Sequence, residues 1–265
     1  MRSKQRIVFM QKWLIAAMVF FASASQSQPV HYTVANAHSH NDYEQKVPFW
    51  TAYNEGFGSI EADIFLENGR LYVAHDTVEL KAYKTLEALY LEPLLSVVGK
   101  NKGFPFADTS KHLQLLIDIK TDSIHTLNTL IALLQKYRAL YKNGSLKFVI
   151  TGNRPAESLF TSYPPYIWFD GELFKNYSKD ALTKIVLLSD DLKNYWRWSG
   201  NQSPSQQELS AIQAGINKAH NLHKPVRFWD APDYKVAWDR FIHLGVDYIN
   251  TDHIAALSSF LNKYR

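Results

Sequence analysis

The stretch "SIEADIFLENGRLYVAHD", residues 59–76, carries two acidic side chains inside an otherwise apolar, strand-like run. Glu61 and Asp63 are two positions apart, so in a β-strand their side chains point to the same face. An ionised carboxylate in such a run is costly unless it is paired or bound to a metal. The turn signal "ENG" (67–69) is followed by "RLYVAH" (70–75), which is predicted to be a short strand that pairs back. The stretch therefore predicts a buried strand with a functional polar face.

Similar short runs recur along the chain and alternate with helical patterns such as 122–141 and 204–222. Several runs are almost continuously apolar, as expected for parallel strands buried on both faces. This alternation predicts an α/β fold, a single (β/α)8 TIM barrel spanning residues 29–265. A doubly wound open sheet is the alternative, but it would usually need a glycine-rich loop after its first strand. Besides 70–75, the predicted strands are 32–37, 59–66, 113–119, 146–151, 165–170, 184–189, 225–230 and 246–251.

The first 28 residues have the pattern of a secretory signal peptide. Four basic residues precede the apolar run "WLIAAMVFFA" (13–22), and small residues follow it. The run is shorter than the roughly 20 residues that a membrane span needs. We therefore expect residues 1–28 to be removed and the protein to be exported to the periplasm or the extracellular space. An uncleaved membrane anchor is the alternative.

The composition narrows the classes of function. The chain has 29 basic and 25 acidic residues; the first 28 residues hold four of the basic residues and none of the acidic ones, so 25 of each sign remain. This balance gives no case for a nucleic-acid partner. The absence of cysteine excludes disulfides, cysteine zinc sites and thiol catalysis.

Polar side chains follow nearly every predicted strand. Active sites of TIM barrels lie at the carboxyl ends of the strands, so these residues predict one polar rim. Glu61, Asp63 and Asp118 interrupt apolar strands, and a hard divalent cation, Ca²⁺ or Mg²⁺, would relieve both their burial and their mutual repulsion. The alternative is an ion pair with Lys120 and no metal.

Four motifs carry a resemblance to a known superfamily: "HSHNDY" (38–43), "GFGSIEADIFLENGRLYVAHD" (56–76), "RFWDAPD" (227–233) and "GVDYINTD" (245–252). Together with "LLIDIK" (115–120) they resemble the phospholipase-C-like phosphodiesterases, which include glycerophosphodiester phosphodiesterases and phosphatidylinositol-specific phospholipases C. The pattern is most similar to the branch of the altered-inheritance-of-mitochondria proteins. The resemblance implies a TIM-barrel phosphoric diester hydrolase that uses a divalent cation.

The resemblance also implies roles for individual residues. Glu61 and Asp63 match the acidic metal pair, His75 matches the second catalytic histidine, and Asp118 stands where members often have a glutamate ligand. The first catalytic histidine is either His38 or His40. The spacing to Glu61 favours His40, and that alignment makes the next residue, Asn41, a metal ligand.

A mechanism follows from these roles. His40 is expected to act as general base and His75 as general acid in the cleavage of a glycerophosphodiester, a phosphoinositide or a related small-molecule or lipid-headgroup phosphodiester. Asp42 and Asp76 are alternative candidates for orienting the histidines. Candidate substrate-binding residues are Lys120, Arg154, Trp229 and Asp252.

Two other functions are open at this point. "HSH" (38–40) after the first strand is also how zinc-dependent amidohydrolase or phosphatase barrels begin a metal site. Such barrels need further histidines after the middle strands, and the predicted strands 146–151, 165–170 and 184–189 end in Thr151, Asp170 and Ser189. The second alternative is a non-catalytic binder of phosphorylated polyols or glycans.

Overall fold

The computed structural model describes residue 29, residues 31–196 and residues 204–264. The predicted signal segment lies outside these ranges. Nine strands are formed within them: β1 Ala37–Ser39, β2 Ser59–Glu67, β3 Arg70–Val73, β4 Leu113–Ile119, β5 Leu146–Gly152, β6 Ile167–Glu172, β7 Ile185–Asp191, β8 Val226–Trp229 and β9 Ile249–Thr251.

Eight of the strands form a parallel barrel. Their order is β8-β7-β6-β5-β4-β2-β1-β9, and every neighbouring pair on this path is parallel. The ends of the path meet at a single parallel bridge between Arg227 and Tyr248, which nearly closes the barrel. β3 lies off this path and pairs antiparallel with β2, as its turn signal predicts. The predicted TIM barrel is confirmed.

Helices follow the strands on the outside of the barrel. α5 begins at a capping box in which Ser205 and Glu208 satisfy each other's backbone N–H groups. Its buried face, which includes Ile212 and Ile216, packs against the core. The α-helices are α1 Trp50–Glu55, α2 Glu92–Lys100, α3 Ser123–Leu134, α4 Lys179–Leu182, α5 Gln206–Asn221, α6 Lys235–Leu244 and α7 Ile254–Leu261. The 3-10 helices are Val34–Asn36, Asp42–Glu44, Thr77–Glu79, Gln135–Tyr141, Glu157–Ser162 and Leu192–Asn194, and a π-helical turn, Glu87–Leu91, precedes α2.

Two predicted elements are placed differently in the structure. The strand predicted at 32–37 is wrong: Val34–Asn36 is a 3-10 helix, and β1 runs from Ala37 to Ser39. The cause is a second capping box, formed by Thr33 and Asn36, which turns the chain before the strand begins. The helix predicted at 122–141 ends at Leu134, and a 3-10 helix with a non-helical Tyr137 completes that range.

The barrel has two apolar layers and one polar end. The main core lies between the sheet and the helices. A small inner core of Leu116, Val149 and Leu187 fills the middle of the barrel. Two positions further along β4 and β5, the inward side chains are Asp118 and Thr151, so the carboxyl end of the barrel is polar. Among the described residues, none of the helices has the length and apolar character needed to cross a membrane.

Candidate active site

A cavity of about 490 Å³ opens at the carboxyl end of the barrel. It contains most of the residues that the sequence singles out. The lining residues are His40, Asn41, Glu61, Asp63, His75, Asp118, Lys120, Thr151, Gly152, Arg154, Glu172, Ser189, Asp190, Arg227 and Trp229.

Three carboxylates form the floor of this cavity. Glu61 and Asp63 lie on β2, and Asp118 stands directly opposite Asp63 on β4. One oxygen from each of the three lies within 4.8 Å of the others. The Oδ1 atoms of Asp63 and Asp118 are buried and have no hydrogen-bond partner among the described residues. Buried carboxylate oxygens without partners, grouped at this spacing, fit a hard divalent cation.

Lys120 neutralises the other side of the same carboxylates. Its Nζ lies 3.0 Å from Oδ2 of Asp63 and 2.8 Å from Oδ2 of Asp118. The ion pair that the sequence offered as an alternative to a metal is therefore present. It engages the Oδ2 atoms and leaves both Oδ1 atoms without partners in the described ranges. Burial, together with the nearby Glu61, raises the pKa of Asp63 to about 6 even though Lys120 opposes the shift.

Gly152 at the end of β5 makes room for Asp118. A Cβ atom at this position would lie 1.9 Å from Oδ1 of Asp118. The residue also has a φ of +67°, a conformation that side-chain-bearing residues rarely adopt. A residue other than glycine would displace the carboxylate.

His38 is fully buried below the floor and does not line the cavity. Its Nδ1 lies 2.6 Å from Oγ of Ser59, and its Nε2 lies 3.0 Å from Oε2 of Glu61. Nη1 of Arg227 lies 2.6 Å from the same Nε2. Burial and Arg227 lower the pKa of His38 to about 4, so the ring is neutral at physiological pH. In this arrangement His38 contacts the Glu61 carboxylate from the side away from the cavity and holds it in position.

Arg227 is a functional residue that the sequence interpretation missed. Its side chain is 3% exposed, and Nη1 also reaches Oε2 of Glu61 at 3.5 Å and Oδ1 of Asn250 at 3.2 Å. Although burial opposes ionisation, Arg227 and His38 hold the pKa of Glu61 well below its usual range. The available signal was a charged residue inside the buried run "PVRFWD", the same signal that identified Glu61.

His40 lies at the cavity wall, and its side chain is 30% exposed. Its Nδ1 contacts Oδ1 of Asp252 at 2.8 Å, which leaves Nε2 as the ring nitrogen available for proton transfer. Burial alone would lower the pKa of His40, but the Asp252 carboxylate and Glu61 raise it above its ordinary value. Asp252 does not line the cavity; it lies behind His40.

His75 and Asn41 line the cavity near Asp63. The His75 side chain is 58% exposed, and its Nδ1 lies 3.7 Å from Oδ2 of Asp63. Tyr43, another residue that the sequence interpretation missed, places its hydroxyl between these groups. That hydroxyl donates to Oδ1 of Asn41 and lies 3.2 Å from Nδ1 of His75. Asn41 itself has a φ of 43°, a left-handed conformation that asparagine tolerates better than most residues.

The remaining predicted residues divide between the cavity and the scaffold. Arg154 lines the cavity, donates to the backbone oxygen of Asp170 and contacts Glu172 at 3.2 Å. Trp229 lines the cavity with 40% of its surface exposed. Asp42 contacts neither histidine. It is fully buried and accepts hydrogen bonds from Ser39, Tyr90 and the backbone of Phe49, so it holds the loop after β1 in place.

Comparison with known proteins supplies the family. The family model described as the AIM6-like phosphodiesterase domain matches residues 28–162. The chain belongs to this family. A model of the glycerophosphoryl diester phosphodiesterase family also matches residues 225–255, the part that contains Arg227 and Asp252. The family assignment agrees with the resemblance that the four motifs carry.

The similarity to individual relatives covers most of the chain. An altered inheritance of mitochondria protein 6 homolog from Arthroderma benhamiae is 30% identical over 84% of this chain and 82% of its own length. Altered inheritance of mitochondria protein 6 from Kluyveromyces lactis is 27% identical over 86% of this chain and 72% of its own length. Among solved structures, a glycerophosphodiester phosphodiesterase from Parabacteroides distasonis covers 88% of this chain and 97% of its own, with a TM-score of 0.53 and 13% identity. At that identity the likeness concerns the fold.

Proposed function

We propose that the protein is a metal-dependent phosphodiesterase that cleaves a glycerophosphodiester, a phosphoinositide or a related small phosphodiester. The observation that carries the proposal is the cavity floor. It combines three converging carboxylates with two accessible imidazoles, and two of the carboxylates have a buried oxygen with no partner in the part of the chain that the structure describes. Membership of a phosphodiesterase family supports the choice of reaction.

The carboxylates Glu61, Asp63 and Asp118 would hold the cation, and Asn41, which lines the same cavity and shares the Tyr43 hydroxyl with Asp63, would be a further ligand. When bound, a divalent cation stabilises the negative charge that develops on the phosphoryl oxygens. Lys120 keeps the floor from becoming too anionic to accept a phosphodiester, because its ammonium group already balances one carboxylate charge. Glu61 remains ionised because Arg227 and His38 stabilise its anion.

Proton transfer falls to His40 and His75. His40 removes the proton from the attacking hydroxyl, which is water or a hydroxyl of the substrate. The Asp252 contact orients its ring and stabilises the imidazolium that forms. His75, which lies near Asp63, donates a proton to the leaving oxygen. His38 is the weaker candidate for the base because both its ring nitrogens are engaged and it is fully buried.

The test is hydrolysis of bis(p-nitrophenyl) phosphate and glycerophosphocholine by the purified protein, with EDTA and with Ca²⁺ or Mg²⁺ restored. We expect turnover that requires the cation and that falls ~10²–10⁴-fold in His40→Asn and in His75→Asn. The exposed His112 is the matched control, and His112→Asn should retain full activity. Turnover that survives EDTA, or that persists in both catalytic variants, would contradict the proposal.

We also propose that the protein is exported. The support is the sequence pattern of residues 1–28, with basic residues, a short apolar run and small residues in that order. The mass of the protein recovered from its native compartment tests this. A chain that begins near residue 29 agrees with export, and a full-length chain in the cytoplasm does not.

A further inference from the structure

We propose that Tyr43 is a positioning residue whose hydroxyl fixes the ring of His75 so that Nε2 faces the leaving group. The inference rests on the proposed function, since it assigns the atom through which His75 would act as general acid. Tyr43 itself would not touch the substrate.

The hydroxyl of Tyr43 lies at the centre of the site. Tyr43 is on the 3-10 helix Asp42–Glu44, directly after β1, and is 2% exposed. Its oxygen lies 2.8 Å from Oδ2 of Asp63, 2.9 Å from Oδ1 of Asn41 and 3.2 Å from Nδ1 of His75. One hydroxyl therefore connects the loop after β1, the floor of the cavity on β2 and the histidine that follows β3.

The protons in this cluster can be assigned by counting donors and acceptors. A tyrosine hydroxyl keeps its single proton at neutral pH and has lone pairs to accept with. The carboxylate of Asp63 and Oδ1 of Asn41 are acceptors, so the hydroxyl proton lies towards them. The lone pair left on the tyrosine oxygen then accepts from Nδ1–H of His75. The proton of neutral His75 consequently resides on Nδ1.

His75 has no other hydrogen bond to its ring among the described residues. The carboxylate of Asp63 is 3.7 Å away, beyond hydrogen-bond distance, and Glu79 contacts only the backbone nitrogen of His75. The side chain is also more than half exposed. Without the tyrosine hydroxyl, the imidazole would be free to rotate and to place its proton on either nitrogen.

This tautomer suits a general acid. When the imidazolium gives its Nε2 proton to the leaving oxygen as the P–O bond breaks, the neutral ring that remains already carries its proton on Nδ1 and keeps its bond to Tyr43. No second proton has to move. A hydrogen bond to the far nitrogen of a reacting histidine is a common way to fix its tautomer and orientation.

The first experiment measures the tautomer directly and does not depend on turnover. Long-range ¹H–¹⁵N spectra of the full-length protein labelled with ¹⁵N-histidine distinguish Nδ1–H from Nε2–H. We expect the Nδ1–H form for His75 in the wild type and a shift towards the Nε2–H form in Tyr43→Phe, which retains the ring. Tyr137→Phe is the matched control, because it removes another buried hydroxyl, one that donates to Glu92 outside the cavity. It should leave the His75 signals unchanged.

The second experiment compares leaving groups. p-Nitrophenolate leaves readily without a proton, whereas the alkoxide released from glycerophosphocholine needs one. In Tyr43→Phe we expect kcat for glycerophosphocholine to fall roughly 10–100-fold, kcat for bis(p-nitrophenyl) phosphate to fall much less, and KM to change little. The double variant Tyr43→Phe/His75→Asn should be no slower than His75→Asn alone, because both changes act on one group.

The outcomes separate the two proposals. An Nε2–H tautomer of His75 in the wild type, or equal losses on both substrates with additive effects in the double variant, would overturn the role of Tyr43. The expected change of tautomer in a protein that hydrolyses neither substrate would leave Tyr43 as the residue that orients His75 and would refute the phosphodiesterase proposal instead.

Discussion

Two histidines that are two positions apart in the chain occupy opposite environments. His38 has three polar partners, Ser59, Glu61 and Arg227, and is fully buried. The ring of His40 has one polar partner among the described residues, Asp252, and it faces the cavity. β1 ends at Ser39, so the chain turns between the two histidines. His38 and His40 therefore do not lie on the same face of a strand, as they would if the strand continued through residue 40.

Substitution of these two histidines should therefore have different effects. We expect His38→Ala to lower the free energy of unfolding by roughly 2–4 kcal/mol, because it removes a buried polar partner that Ser59, Glu61 and Arg227 share. Above the raised pKa of His40, where its contact with Asp252 no longer adds stability, His40→Asn should leave the free energy of unfolding unchanged within ~0.5 kcal/mol while kcat falls. Urea unfolding and initial rates measure both quantities. A stable but inactive His38→Ala beside an active His40→Asn would reverse the assignment.

Asp252 should set the pH dependence of activity. A general base works when it is unprotonated, and the Asp252 carboxylate raises the pKa of His40 against the effect of burial. The acid limb of kcat/KM should therefore lie above the ordinary histidine value of about 6.5. Asp252→Asn removes the carboxylate charge and should move this limb to lower pH. The contact between His40 and Asp252 also affects stability. It stabilises the folded protein fully below about pH 6.5, the ordinary pKa of histidine, and this stabilisation is lost as the pH rises through the raised pKa of His40. An acid limb that Asp252→Asn leaves in place would contradict this assignment of the base.

At the scale of elements, the site depends on how closely β4 and β5 approach each other at Gly152. We expect Gly152→Ala to weaken cation binding and kcat by at least ~10-fold, because the added methyl group would displace the carboxylate of Asp118. Gly69→Ala is the matched control. Gly69 has a similar φ of +75° but nothing within 4 Å of an added Cβ, so it tests the cost of the backbone conformation alone. Titration with Mg²⁺ or Ca²⁺ compares the two, and equal effects would rule out the steric explanation.

The sequence predicted most of the strands because buried parallel strands are apolar and short. β2, β4 and β5 match their predictions to within one residue. β1 did not, since "YTVANA" has strand-forming residues while Thr33 and Asn36 form a local cap that competes with the sheet. That cap could have been found from its spacing.

The candidate site was predicted where charge interrupts an apolar strand and missed where the signal was ambiguous. Glu61, Asp63 and Asp118 stood out from their strands. Tyr43 did not stand out, because a tyrosine that follows a strand can equally well be a residue of the hydrophobic core. The contact between His40 and Asp252 depends on the pairing of β1 with β9, two strands that are far apart in the chain, and local sequence patterns do not encode that pairing.

At the scale of the whole molecule, the three carboxylates of the cavity floor repel one another. The free energy of unfolding should therefore depend on whether a cation is bound to them. The pKa of Asp63 is raised to about 6, so the folded protein binds this proton more tightly than the unfolded chain does. In the absence of metal, this carboxyl therefore destabilises the fold progressively as pH rises from about 4 to about 6 and fully above that range. A bound cation removes the penalty.

We accordingly expect saturating Ca²⁺ or Mg²⁺ to raise Tm by roughly 5–10 °C at about pH 7.5 and by less at about pH 5, where protons compete for Asp63. Differential scanning fluorimetry with EDTA as reference measures the shift. Asp118→Asn should abolish most of it. A Tm that no divalent cation changes at either pH would show that the floor binds no cation and that Lys120 and Arg227 balance its charge instead.

The contact between His40 and Asp252 joins residues 212 positions apart, and β9 pairs directly with β1. A ribosome therefore completes the acidic floor and the loop after β1 long before it makes the residue that orients His40. A nascent chain that stops short of β9 has Glu61, Asp63 and Asp118 but leaves His40 without its partner. By this order of synthesis, the contact between His40 and Asp252 forms only after every other strand of the barrel has been made.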